Sequence, residues 1–222
     1  MKTVFISRDL SRDSPFRRQL EATGWRVMGQ SLIRFEAVSF DWPKEVEWLF
    51  FTSRKGVAFF WEGIRAVRFN LGDYRIACMG KGTAAECVDR GMIPDFIGNG
   101  RPEAVAYAFG QHVAGSKVLF PVGERSLRSV QSILEENVRQ EDLIVYRQEP
   151  RQDLEPFSAS VYVLTSPLNC RILLEQELAD RNATFVAIGN TTAKTLAGQG
   201  ITHIRVAQEA SEEGLVRAVL AS

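Results

Sequence analysis

Apolar positions along this chain fall alternately into short continuous runs and into helical spacing. Residues 3–7 (TVFIS) form a brief β-branched run that predicts a strand. Residues 14–23 then carry helix-like spacing that stops at Gly24. Strand-like apolar stretches return within residues 25–35, and residues 48–51 (WLFF) predict a strand buried on both faces. Beyond Ser53 a helix is expected through Phe59 and Phe60, then a strand over 74–79 and a helix over 83–90 that ends at Gly91. Alternating strands and helices imply an α/β fold, with a mainly parallel sheet covered on both faces.

The pattern also repeats. Segment 76–91 (IACMGKGTAAECVDRG) resembles 185–200 (FVAIGNTTAKTLAGQG) without gaps. Gly80 and Gly189, Thr83 and Thr192, Ala84 and Ala193, and Gly91 and Gly200 each stand 109 residues apart. Phe51-Thr52-Ser53 parallels Leu164-Thr165-Ser166 at a spacing of 113, and VFISRD at 4–9 has a looser echo in VLFPVGE at 118–124. Three matches in the same order predict a duplicated half. A period this long makes two lobes and excludes a solenoid, whose repeats run about 20–50 residues.

Composition narrows the function. Lys+Arg and Asp+Glu are equal at 27 each, so the basic excess of a nucleic-acid binder is missing. Cys78, Cys87 and Cys170 lie far apart without a CxxC pair and are expected to be buried, reduced thiols. The start MKTVFISRDL lacks the features of a signal peptide, and no run reaches the roughly 18–20 apolar residues of a membrane span. A cytoplasmic protein is expected, with no membrane partner.

Hydroxyls recur where strands pass into helices: Thr52 and Ser53, Thr83, Thr165 and Ser166, Thr191 and Thr192. Such positions present backbone N–H groups and the positive helix end to carboxylates or phosphates. Each hydroxyl could equally be an N-cap alone. Arg8, Arg54, Lys55, Lys81, Arg125 and Arg128 cluster near the same strand ends, where open parallel sheets bind ligands. Gly80-Lys81-Gly82-Thr83-Ala84-Ala85 satisfies GxGxxA and Asp95 follows it, a weak dinucleotide fingerprint that the repeat breaks by placing Thr191 at the second glycine. His112 and His203 lack metal-ligand partners, and HExxH, Walker A and GxSxG motifs are missing. Metal and covalent acyl chemistry are therefore not expected; catalysis would rest on positioning, hydrogen bonding and electrostatics.

In order, Ser7-Arg8, Leu-Phe-Phe-Thr-Ser-x-x-Gly-Val (49–57), Gly-x-x-Thr-Ala (80–84), Val-Leu-Phe-Pro-x-Gly-Glu (118–124), Val-Tyr (145–146), Leu-Thr-Ser-Pro (164–167) and Ala-Ile-Gly-Asn-Thr-Thr-Ala (187–193) resemble the uroporphyrinogen-III synthase family over nearly the whole chain. The resemblance implies two flavodoxin-like lobes joined by a two-stranded connector, with the first βαβ segment belonging to the C-terminal lobe. The domains would be 1–35 with 150–222, and 38–147. Crossings are expected near 35–38 and 146–151, where SLIRFEAV and DLIVYRQE read as extended. It further implies a linear tetrapyrrole polycarboxylate, hydroxymethylbilane, as substrate, cyclised with loss of water and inversion of the last ring, and no cofactor. Tyr146 matches the family's cleft-facing tyrosine and would help the hydroxyl leave. Arg8, Thr52, Ser53, Lys55, Thr83, Thr165, Ser166, Thr191 and Thr192 would bind the substrate. A monomer is expected, in at most transient contact with hydroxymethylbilane synthase. Two readings compete: a non-catalytic two-lobed tetrapyrrole or anion binder, and a nucleotide-dependent α/β enzyme.

Overall fold

The structure, a computed structural model, describes residues 1–43, 45–65, 71–113, 115–134 and 138–222. Along the chain run β1 (Thr3–Ile6), α1 (Pro15–Ala22), β2 (Arg26–Gly29), β3 (Ile33–Ala37), β4 (Trp48–Phe51), α2 (Arg54–Ile64), β5 (Arg75–Cys78), α3 (Lys81–Val88), β6 (Phe96–Ile97) and α4 (Pro102–Gly110). Then follow β7 (Lys117–Gly123), β8 (Arg139–Pro150), β9 (Val161–Leu164), α5 (Pro167–Glu175), β10 (Thr184–Ala187), α6 (Asn190–Gly198), β11 (Ile204–Val206) and α7 (Glu212–Leu220). The chain divides into two compact units, Met1–Arg34 with Pro150–Ser222, and Phe35–Glu149. No helix among the described residues is long and apolar enough to cross a membrane.

The first unit holds five parallel strands in the order β11-β10-β9-β1-β2. The second orders its strands β6-β5-β4-β7-β8, with β3 on the outer side of β8. Val38 N–H donates to Val145 C=O at 3.0 Å and Arg151 N–H to Leu32 C=O at 2.9 Å, so β3 and β8 run antiparallel. Placed in register by the repeat, both orders are the flavodoxin-like 2-1-3-4-5 arrangement. The second unit is a circular permutation of the first, because its chain begins at the third strand.

Runs such as WLFF and VYVL are apolar throughout because both faces are covered. Val161 and Val163 join Val4 and Ile6 under α1 and α7, while Tyr162 and Leu164 join Phe5 under α5 and α6. In the second unit Leu49 and Phe51 pack toward α2 and α3, and Trp48 and Phe50 toward α4. All three cysteines are free and buried. Burial pushes the Cys170 thiol up to about 12. Cys87 is raised by its hydrogen bond with Cys78, at Sγ–Sγ 3.5 Å, and by burial. Both behave as packing groups.

The duplicated segments superpose in role. Gly80 and Gly189 precede α3 and α6 with almost the same extended backbone, φ −171° and −172°. Gly91 and Gly200 end those turns at φ +77° and +84°, the left-handed region that favours glycine. Ser53 and Ser166 cap α2 and α5 by accepting from Gly56 N–H and Asn169 N–H. One element breaks the correspondence. Between β1 and β2 lies α1, but the described residues between β7 and β8 form turns and no helix.

In the first unit Glu212 ties two helix N-termini together. Its carboxylate accepts from Phe16 N–H (2.8 Å), Ser14 Oγ–H (2.8 Å) and Arg8 Nη2–H (2.6 Å). Burial alone pushes this carboxyl up, but the hydrogen bonds from Phe16 and Ser14 and the Arg8 charge outweigh it and hold it below its ordinary range. A carboxyl lowered on folding stabilises the fold above its unfolded pKa and loses that contribution as pH falls through the folded value. Glu212→Gln should therefore cost about 1–3 kcal/mol at neutral pH. The difference from the parent should close as pH falls below about 4. Urea unfolding across a pH series checks this; a pH-independent difference would assign the loss to packing.

Candidate functional site

In an open parallel sheet the ligand crevice lies outside the carboxyl ends of the strands where the strand order reverses. In the second unit that point falls between β4 and β7, and an open crevice of about 260 Å³ sits there. Thr52 and Ser53 line it from the end of β4, Gly123 and Glu124 from the end of β7, and Tyr146 from β8.

Tyr146 owes its position to a slip in register. Val122 pairs with Ile144, but Gly123 pairs with Tyr146, leaving Val145 as an extra residue on β8. Strand side chains alternate faces, so Tyr146 should share the face of Ile144, which packs on the α4 side. The bulge turns it instead to the face of Leu143 and Val145. There the ring lies edge-on to Phe35 at 5.8 Å and stacks on Phe59 at 5.1 Å. It also covers Gly123: a Cβ at that residue would come within 2.5 Å of the ring and 2.9 Å of the hydroxyl.

Tyr146 and Ser53 line a second opening on the other side, of about 520 Å³, with Phe35, Arg54 and Lys55. Lys55 Nζ sits 4.1 Å from the Phe35 ring centroid, a cation–π contact on the ring that touches Tyr146. Arg125 and Arg128 line the first crevice. Arg128 takes φ +53° and binds Asp142 at 3.1 Å. Asp142 also accepts from Gln131 Nε2 at 3.2 Å, which leaves the Gln131 Oε1 buried without a partner among the described residues.

A third opening, of about 530 Å³, surrounds the start of α3 with Arg54, Lys81, Thr83 and Gly98-Asn99-Gly100. No side chain caps α3 or α6, so their first N–H groups keep the anion-favouring end of the helix exposed. Thr83 and Thr192 are buried inside the first turn and do not stand at the tip. Thr191 is exposed. Asp95, the acidic residue of the dinucleotide fingerprint, accepts from Ile76 N–H at 2.8 Å and holds a strand end. The nucleotide-dependent reading is accordingly not favoured.

The equivalent crevice of the first unit is filled by its own side chains. Asn169 Nδ2 donates within 3.1 Å to Ser7 C=O, Ser7 Oγ and Thr165 Oγ1, and Ser7 Oγ accepts from Thr165 N–H at 3.1 Å. Arg8 is held by Glu212 at 2.6 Å. At the repeat spacings, Gly56 stands where Asn169 does and Pro121 where Ser7 does. A Cβ at Gly56 would lie 2.6 Å from Pro121 C=O, so bare backbone makes the contact that an amide bridges in the first unit.

The structure thus brings Thr52, Ser53 and Lys55 to the two openings that Tyr146 also lines, and binds Arg8, Thr165 and Ser166 into local networks. Sequence reasoning missed Phe35, Phe59, Gln131 and Glu124 as parts of the site. Glu124 stood in a quoted motif, but its motif said nothing of the pocket it lines.

Gly123→Ala should displace the Tyr146 ring and cost about 1–3 kcal/mol, the usual penalty of overpacking. In a Tyr146→Ala background the same substitution should cost little. Equilibrium unfolding of the four proteins checks this; equal costs in both backgrounds would mean that Gly123 answers to something other than the ring.

Comparison with known proteins matches the model of the uroporphyrinogen-III synthase HemD family over residues 14–217. No curated protein matches the chain significantly in sequence. The chain resembles the crystal structure of uroporphyrinogen-III synthetase from Helicobacter pylori, with a TM-score of 0.64 at 18% identity over 100% of this chain and 99% of that one. A mutant uroporphyrinogen III synthase from Thermus thermophilus gives a TM-score of 0.52 at 16% identity over 100% of both chains. At such identity these structures establish a common two-lobed α/β fold, and the family match spans most of the sequence. The chain belongs to the uroporphyrinogen-III synthase family.

Proposed function

We propose that the chain cyclises hydroxymethylbilane to uroporphyrinogen III, with loss of water and inversion of the terminal pyrrole ring. The observation that carries this reading is the placement of Tyr146. Its hydroxyl-bearing ring is wedged between Phe35 and Phe59 over Gly123, at the wall shared by two openings. A hydroxyl held this way can donate to a departing oxygen without first reorganising. A phenol acts here as a hydrogen-bond donor more than as a strong acid.

Around it the unit offers what a polycarboxylate of pyrrole rings requires. Phe35 presents an apolar wall, Phe59 backs the Tyr146 ring, and Lys55, Arg54 and Arg125 supply positive charge at the rim. Thr52 Oγ1 and Ser53 Oγ keep donor capacity toward carboxylates, the latter while accepting from Gly56 N–H. In this unit the uncapped start of α3, beside Thr83, binds carboxylates through backbone N–H groups; in the first unit, taken by itself, the uncapped start of α6 beside Thr191 and Thr192 has the same capacity. Arg8, Thr165 and Ser166 contribute by keeping the first unit's strand ends in shape. Dehydration with carbon–carbon bond formation is redox-neutral overall, so the reaction calls for no redox cofactor. The protein works as a cytoplasmic monomer, taking a labile substrate from hydroxymethylbilane synthase in a transient contact.

Purified protein supplied with hydroxymethylbilane by its synthase should yield the type III isomer on chromatography without added metal or nucleotide. Only the spontaneous type I product, with folded protein present, would overturn the reading. Tyr146→Phe keeps the ring and removes the hydroxyl. It should lower kcat about tenfold or more if the lost bond forms mainly in the transition state, with stability little changed. Unchanged turnover would return Tyr146 to packing.

A further inference from the structure

Among the side chains lining the crevice at the ends of β4, β7 and β8, one is acidic: Glu124. Its place is set by the backbone. Glu124 N–H donates to Tyr146 C=O at 3.0 Å, directly after the slipped register. The Tyr146 hydroxyl lies over Gly123, the residue before it. Glu124 is exposed, and the neighbouring Arg125 lines the same crevice. Two further cations make their ion pairs elsewhere, although the Glu124 charge still reaches Arg147. Arg128 pairs with Asp142 at 3.1 Å, and Arg147 with Glu36 at 3.1 Å and Glu149 at 3.0 Å.

A carboxylate is costly in a crevice that receives a polycarboxylate, because like charges oppose ground-state binding. A group that works against the substrate and for a cation supplies the differential binding that lowers a barrier. Such a cation arises in the proposed reaction. The C–O bond of the hydroxymethyl group breaks, and the oxygen leaves with both bonding electrons and a proton, as water. That proton comes through the Tyr146 hydroxyl, which regains one from solvent. Positive charge stays on the methylene-pyrrole system and its ring N–H. The already substituted carbon of the terminal ring then supplies the electron pair of a new C–C bond, giving a spiro cation. Its older bond to the neighbouring methylene breaks, the pair returns to the terminal ring, and the positive charge passes to a second methylene-pyrrole. The free carbon of the terminal ring attacks that methylene, and loss of its proton to solvent discharges the inverted product.

We propose that Glu124 is the counter-ion of this pyrrolic cation: it stays ionised throughout, exchanges no proton, and favours the charged intermediate over the bound substrate. The inference rests on the cyclase reading and adds to it a second group at the reacting end, of opposite role to the surrounding arginines.

The test compares the parent, Glu124→Gln and Glu124→Asp in the coupled assay, with thermal unfolding of each. Glu124→Gln should lower kcat on the order of a hundredfold, the low end of the scale seen when one preorganised electrostatic group is removed. KM should stay equal or fall, because a repulsive charge has gone, and Glu124→Asp should recover most of kcat. A bilane lacking the terminal hydroxyl cannot ionise, and its thermal shift should be at least as large with Glu124→Gln as with the parent. A kcat within about twofold of the parent would overturn the proposal, since the group would then make no difference to the barrier. So would a fall in kcat with a raised KM and weaker binding of the unreactive bilane, which marks substrate positioning. A parent that yields only type I product removes the cyclase reading and this inference with it. A parent that yields type III, beside an equally active Glu124→Gln, removes this inference alone.

Discussion

One extra residue in one strand organises the site. Strand side chains alternate with a period of two, so a single inserted residue moves every later side chain to the opposite face. At Val145 that insertion brings Tyr146 onto the face of Leu143 and Val145, opposite a glycine. Gly123 is required there because any side chain would enter the Tyr146 ring. Phe35 and Phe59 then hold the ring from the sides, and Lys55 closes over Phe35. Glu124 takes its place from the first backbone hydrogen bond beyond the slip. Shift the register by one and all of these neighbours are lost together.

The two halves show how a duplicated frame acquires different uses. In the first unit the helix that starts after Ser166 carries Asn169, whose amide bridges to the end of β1 and fills the crevice. In the second, Gly56 occupies that place, and α2 meets β7 through backbone alone. Position 56 then sends no side chain into the space. The turn segment after β7 replaces a helix that in the first unit buries Phe16 and Leu20. An open crevice in one unit and a closed one in the other follow from a few substitutions on a common topology.

Charge is distributed with the same economy. The formal net charge is zero, so attraction for a polyanion cannot come from the molecule as a whole. On the proposed reading it comes from cations and uncapped helix starts at the strand ends, while many other charges are tied into local pairs such as Arg8 with Glu212 and Arg90 with Glu86. A lone acidic group among the arginines of the crevice is the exception to that arrangement.

The sequence alone determined the α/β class, the duplication and the caps. Continuous apolar runs and helical spacing are local consequences of burial, and Ser53, Ser166, Gly91 and Gly200 act on their own turns. The ordered motifs also carried the family and singled out Tyr146. Tertiary structure decided which of the candidate hydroxyls face a cavity. Thr192 reads like a tip but is buried, Thr83 is largely buried at the edge of its opening, and Thr165 reads like Thr52 but is consumed by Ser7 and Asn169. For Thr165 the partner Ser7 stands 158 residues away, and no local pattern encodes that contact. The same holds for the bulge at Val145, which exists only in the pairing of β7 with β8. A residue's type and spacing state what chemistry it can offer, but its register against a distant strand decides where it is offered.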